Sequence, residues 1–354
     1  MSGPPAPPAT VDGERILVMA PSWVGDVVMA TPAIRALKRR WPQARITAIA
    51  RPTGADVLEH NPSLDRIIAV DSKGVGPESS GLRELVRLLR REHFDLAVVL
   101  PNSFRTALWA RLAGARRRVG YALQWRSLFL TDRLPPPRKN GVIVPINMVD
   151  RYLAVAAKAG CTELSEREEL FASDDDIAAS AAVLSSLGVG ADDMLAVLIP
   201  GAAFGPAKLW GAERFAEVGD ELIERHSCKV LAHVGPGEEG IGREVVAASS
   251  NGVLMAPPGA IDLKVLKGVV KRAALVIAND TGPRHYAVAF GIPNVVILGP
   301  TSRRYIDVNM QHTALLQAHL ECSPCQLKIC PRNHECMDLV EPGDVLAAAE
   351  ELLG

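Results

Sequence analysis

Arg15-Ile-Leu-Val-Met-Ala20 runs straight into Pro21-Ser-Trp-Val-Gly-Asp-Val-Val-Met-Ala-Thr-Pro-Ala-Ile-Arg35, and the character of this junction decides the fold. The first six residues are too apolar for a strand with one wet face, so they predict a strand buried on both sides in a parallel sheet. Gly25 then permits a tight entry into a helix. A strand that breaks into a helix in this way is the opening of a βαβ unit.

The same alternation recurs along the chain. Residues 45–50, 65–70 and 95–100 read as further buried strands, and residues 33–41 and 82–91 as helices with Leu and Val on one face and Arg and Lys on the other. Strands over residues 195–200, 229–234, 275–278 and 294–298 repeat the pattern. The fold class predicted is α/β, with two doubly wound sheets. A chain of 354 residues is also long for a single core. We expect a disordered Pro-rich tail over 1–13, one domain over 14–172, a linker over 173–194 and a second domain over 195–354. The linker is placed where Ser173-Asp-Asp-Asp176 and Gly188-Val-Gly-Ala-Asp-Asp193 interrupt the pattern. Ligands of such sheets meet the C-terminal ends of strands, so functional residues are expected just after strands, in a cleft between the domains.

With 39 Lys and Arg against 40 Asp and Glu, the net charge of −1 argues against a nucleic-acid partner. The balance is uneven, however. Residues 1–170 hold 25 basic and 17 acidic residues and residues 171–354 hold 14 and 23, so a +8 half precedes a −9 half. The first half is suited to an anionic partner such as a phosphorylated lipid or a membrane surface. No secretory signal opens the chain, and the uncharged run over 285–302 is cut by Gly291-Ile-Pro-Asn294 and Gly299-Pro300, reading as helix, turn and strand rather than a membrane span.

After the first strand, Asp26 stands at the start of a helix, where its carboxylate could take a proton from a hydroxyl nucleophile or could simply cap the helix, a task for which Ser22 competes. After the first strand of the second half, Gly201 and Gly205 let backbone approach a phosphate and Lys208 supplies a point charge. Gly235-Pro-Gly-Glu-Glu-Gly240 has dinucleotide-fingerprint spacing, but Glu238 and Glu239 oppose a pyrophosphate, which favours a surface turn. In Asn279-Asp-Thr-Gly-Pro-Arg-His285, Thr281 and Gly282 can donate to an anionic oxygen and Asp280 can bind sugar hydroxyls, or Asp and Thr can serve as caps. Gly299-Pro-Thr-Ser302 adds a second hydroxyl-bearing turn. Within the Cys-rich segment 322–336, Cys322, Cys325, Cys330 and Cys336 have spacings open to a structural zinc, to free thiols or to one disulfide, and no metal is assigned.

In their order and context these motifs resemble glycosyltransferase family 9, and within it the ADP-heptose:lipopolysaccharide heptosyltransferases that add the second heptose. The resemblance extends over residues 16–353 and rests on Gly25-Asp26 with Ala30-Thr-Pro32, Pro200-Gly201 through Lys208-Leu-Trp210, Asn279 to His285 with Phe290-Gly-Ile-Pro293, Gly299-Pro-Thr301 and the Cys stretch ending Cys336-Met337. It implies a GT-B architecture, two Rossmann-like domains facing across a central cleft with the acceptor on the first and the nucleotide sugar on the second. It implies an inverting, metal-independent transfer from ADP-L-glycero-D-manno-heptose to heptosyl-Kdo-lipid A, with no cofactor. By position Asp26 would be the general base, Lys208 would lie against the ADP phosphates, Asp280 would hold heptose hydroxyls, Thr281 and Gly282 would donate to the diphosphate with Thr301 and Gly201 nearby, and His285 would brace the loop. Ser22, Arg51, Arg105 and Arg126 would meet the anionic acceptor, and the enzyme would sit at the cytoplasmic face of the inner membrane as a peripheral protein. Leu209 and Gly211 stand where the family has Arg and Pro, a departure that bears on donor selectivity, and Thr281 stands where Ser is common. The other functions compatible with these motifs are another GT-B transferase, a sugar-nucleotide epimerase, or a non-catalytic sugar-nucleotide-binding module.

Overall fold

β1 (Arg15–Met19) is buried from Ile16 onward and forms the centre of the first of two six-stranded sheets in the computed structural model. Residues 15–71, 81–123 and 125–354 are described, so the tail expected over 1–13 lies outside them. The chain divides into two units, Met1–Glu166 and Arg167–Gly354.

In the first unit β1 is followed by α1 (Val24–Met29), α2 (Thr31–Arg40), β2 (Arg45–Ala50), α3 (Pro52–Leu58), β3 (Arg66–Ala69), α4 (Gly81–Arg91), β4 (Leu96–Val99), α5 (Phe104–Leu112), β5 (Arg117–Tyr121), β6 (Asp132–Leu134), a short hairpin of β7 (Arg138–Lys139) and β8 (Val142–Ile143), and α6 (Met148–Ala159). The sheet order is β3-β2-β1-β4-β5-β6, with every pair parallel. This is the Rossmann order, reversing direction between β1 and β4. One face packs Leu17, Met19, Ala97 and Val99 against Leu85 and Leu89 of α4 and Trp109 of α5.

The second unit runs α7 (Asp174–Ser186), β9 (Leu195–Ile199), α8 (Ala212–His226), β10 (Lys229–Ala232), α9 (Glu239–Ala248), β11 (Leu254–Met255), α10 (Val265–Arg272), β12 (Leu275–Asn279), α11 (Arg284–Phe290), β13 (Asn294–Ile297), β14 (Thr313–Leu316), α12 (Glu335–Asp338) and α13 (Pro342–Leu353). Its order, β11-β10-β9-β12-β13-β14, repeats that of the first. Leu198, Ile277 and Ile297 pack with Phe215, Leu222, Val345 and Met337 in its core.

The segment expected as a linker is different in structure. Ser173 and Asp176 close a reciprocal capping box, so the acidic run that resembled a spacer is the first turn of α7, where carboxylates complement the helix dipole. α7 packs on α10, and the division between units falls before it, at Glu166. Gly268 makes that packing possible: a Cβ there would lie 2.7 Å from Ser180 Cβ and 3.0 Å from Asp176 O.

Candidate active site

Parallel strands deliver their following residues to one edge of a sheet. In the first unit Ser22 and Asp26 follow β1, Arg51 follows β2, Arg105 follows β4 and Arg126 follows β5. The N-cap of α1 is Trp23, whose side chain makes no capping bond, so Ser22 does not hold the cap position, and Asp26 lies in the first turn. Tyr152, on α6, donates its hydroxyl to the Asp26 carboxylate. Burial first, and then the neighbouring carboxylate, push the Tyr152 pKa well above its usual value, keeping the phenol protonated as a donor. Ser22, Arg51 and Arg105 are exposed, and the Arg105 guanidinium lies 4.8 Å over the Trp109 ring.

Arg126 differs from the expectation of an acceptor contact. It is wholly buried, its Nε donating to Tyr121 O at 2.6 Å and its Nη1 to Pro101 O. Burial, and then the nearby charge of Arg151, lower its pKa to about 10. In this structure it pins the turn over 125–129 to the ends of β4 and β5.

In the second unit Lys208 ends a 3-10 turn after β9 and is buried. Its ammonium donates to Asp280 Oδ2 at 2.5 Å and to Asp280 O at 2.8 Å, and lies 5.1 Å from the Phe204 ring. Thr301 Oγ1 donates to the same Oδ2 at 2.6 Å, and Arg284 Nε stands 3.6 Å from Oδ1. Burial would raise the Asp280 pKa, but the charges of Lys208 and Arg284 and the hydrogen bonds from Lys208 and Thr301 outweigh it and hold the carboxyl at about 2. Thr281 and Gly282, half-buried, follow directly. His285 is buried with Nδ1 3.2 Å from Glu168 Oε2, and burial lowers its pKa. It braces the start of α11. The structure thus brings Lys208, Asp280 and Thr301 into one polar cluster.

Four participants escaped the sequence reading: Tyr152, Glu168, Arg284 and Glu238. The turn at 235–240, read as surface, places Glu238 half-buried at the N-cap of α9. A Cβ at Gly201 would collide with its carboxylate, so an acceptor of hydroxyl hydrogens lies beside the loop after β9. The Cys-rich segment also has a role in this site. Lys328 O accepts from Ala207 N at 3.0 Å, Gln326 N donates to Pro300 O at 2.8 Å, and His334 Nε2 donates to Ala207 O at 2.8 Å, which fastens the turns bearing Lys208 and Thr301. Cys322, Cys325, Cys330 and Cys336 are free thiols, and among the described residues no group of three or more His, Cys, Asp or Glu is placed to hold a metal ion.

Two Rossmann-like units in one chain, each with polar residues gathered at the C-terminal edge of its sheet, are the architecture of GT-B glycosyltransferases. Residues 82–335 match the family model described as glycosyltransferase family 9 (heptosyltransferase). Lipopolysaccharide heptosyltransferase 2 of Salmonella typhimurium is 30% identical over 298 residues, 81% of this chain and 83% of that protein, and its Escherichia coli K12 counterpart is 29% identical over 300 residues with the same coverage. The solved structure of E. coli ADP-heptose lps heptosyltransferase II matches with a TM-score of 0.79 at 26% identity, over 96% of this chain and 98% of that one. A family 9 glycosyltransferase from Veillonella parvula gives 0.83 at 26% identity, over 97% and 99%. The chain belongs to glycosyltransferase family 9.

Proposed function

We propose that the chain is an inverting transferase that moves L-glycero-D-manno-heptose from its ADP derivative to the first heptose of the lipopolysaccharide inner core, on heptosyl-Kdo-lipid A. The observation that carries the mechanism is Asp26, a carboxylate following β1 at the C-terminal edge of the first sheet that accepts a hydrogen bond from Tyr152. The names of the relatives support heptose transfer to lipopolysaccharide, and that of the similar E. coli structure supports the ADP-heptose donor.

In this reading an acceptor hydroxyl gives its proton to Asp26 as its oxygen attacks the anomeric carbon. The bond to the ADP oxygen breaks on the opposite face, and its electron pair leaves with the diphosphate. Lys208 and the donors of Thr281, Gly282 and the Gly201 loop would meet that developing charge. Asp280 already receives Lys208, Thr301 and Arg284, so it would chiefly hold Lys208 in position, and it would bind a heptose hydroxyl by exchanging one of those contacts. Glu238 would accept from hydroxyls of the donor. Ser22, Arg51 and Arg105 would meet the phosphates and carboxylates of the acceptor, at the cytoplasmic face of the inner membrane. No helix among the described residues is long and apolar enough to cross a membrane, in keeping with peripheral contact.

ADP release from ADP-heptose with heptosyl-Kdo-lipid A tests this. Asp26→Asn should lower kcat by about a thousandfold, within the range of general-base catalysis, while leaving ADP affinity intact. Undiminished turnover in Asp26→Asn would remove the base from the mechanism. Release with a different nucleotide sugar and none with ADP-heptose would refute the donor.

A further inference from the structure

The positive charge of the first half is concentrated in one stretch. Residues 101–149 hold nine Lys or Arg and a single acidic residue, Asp132, already paired with Arg117 at 2.9 Å. The same stretch bears bare apolar side chains: Trp125 is 83% exposed, Leu128 72%, Val142 68% and Phe104 45%. Trp125 is the N-cap of a 3-10 turn over Arg126–Phe129 that contains Leu128, with Leu128 N bonded to Trp125 O at 3.5 Å. Phe104 joins them through an edge contact with Phe129, ring centroids 5.0 Å apart. On its inner side the turn is pinned by the buried Arg126.

Trp125 also has φ of 60°, a left-handed conformation unfavourable for a bulky residue. A strained backbone that holds a tryptophan out in solvent contributes nothing to the core, which points to a role outside it. Arg105, Arg133, Arg138 and Lys139 are exposed and make no ion pair among the described residues.

We infer that the turn over 125–129, with Phe104 and the exposed side chains of Arg133, Arg138 and Lys139, is a membrane-docking surface whose occupant is an anionic phospholipid bilayer. Trp and Leu enter the headgroup boundary, where an aromatic with a polar edge is favoured, while Arg and Lys answer the lipid phosphates. A protein partner of this surface would have to bring carboxylates to the same cations. The bilayer is favoured because the apolar groups project singly from a turn instead of lining a pocket. This surface is independent of which sugar is transferred.

The test is co-sedimentation of the full chain with vesicles of phosphatidylcholine alone or mixed with phosphatidylglycerol, neither containing lipopolysaccharide. The wild type should bind the anionic vesicles and release them at high salt. Trp125→Asn with Leu128→Asn should weaken binding about tenfold or more, Asn being chosen because it tolerates the left-handed backbone. Arg133→Gln, Arg138→Gln and Lys139→Gln together should weaken it by a similar factor and remove much of the salt dependence. Both sets should melt as the wild type does and keep its turnover on a deacylated, water-soluble acceptor, which separates docking from catalysis. Absence of wild-type binding to anionic vesicles, binding only when the acceptor lipid is added, or undiminished binding by the Trp125 and Leu128 variant would overturn the assignment.

Discussion

Asp26 and Tyr152 show how the base proposed for the reaction has a partner 126 positions away in the chain. Tyr152 donates to the carboxylate and so stabilises its charged form. Tyr152→Phe should therefore raise the acidic limb of the kcat–pH profile and lower kcat by about tenfold with KM little changed. A profile superimposable on the wild type would deny Tyr152 this orienting role. Lys208 and Asp280 form a second pair, buried on both sides. Removing one charge leaves the other uncompensated, so Lys208→Met should destabilise the protein by about 3–5 kcal/mol in urea unfolding, and Asp280→Asn in the same chain should recover part of the loss. Asp26, Lys208, Asp280 and Thr301 were legible because each lies in the segment that follows an apolar strand. Tyr152, Glu168 and Arg284 were not, because each owes its significance to a tertiary contact that no local pattern records. Arg126 was legible as a cation near a strand end, but its burial was set by the carbonyls of Tyr121 and Pro101.

Among the elements, the central strands were plain in the sequence because both faces are buried: β1, β2, β4, β9, β12 and β13 are nearly uninterrupted aliphatic runs. β5 hid behind Arg117 and Arg118, whose charges are answered within the fold by Asp132 and by Phe129 O. The short edge strands β6 and β11 offer too few residues for a period to show. α7 was obscured by a different cause, since Ser and Asp serve equally in a loop and in a capped first turn. Its dependence on α10 can be measured. Gly268→Ala adds a better helix former, yet its methyl meets Ser180 and Asp176 O, so it should destabilise by about 1–3 kcal/mol instead of stabilising. Equal or greater stability in urea would mean that α7 yields without loss.

At the scale of the whole molecule, the formal charge of −1 describes neither unit. The excess base belongs to the stretch from α5 to the β7–β8 hairpin, and the site of the second unit keeps two cations, Lys208 and Arg284, against Asp280 within an acidic half. The two sheets share one strand order, and their residues correspond. Asp26 and Arg105 flank the reversal between β1 and β4, and Lys208 and Asp280 flank the equivalent reversal between β9 and β12. At the same place after the first strand of the repeated order, one unit carries a carboxylate, Asp26, and the other an ammonium, Lys208, so two sheets of one topology present opposite charges at equivalent edges.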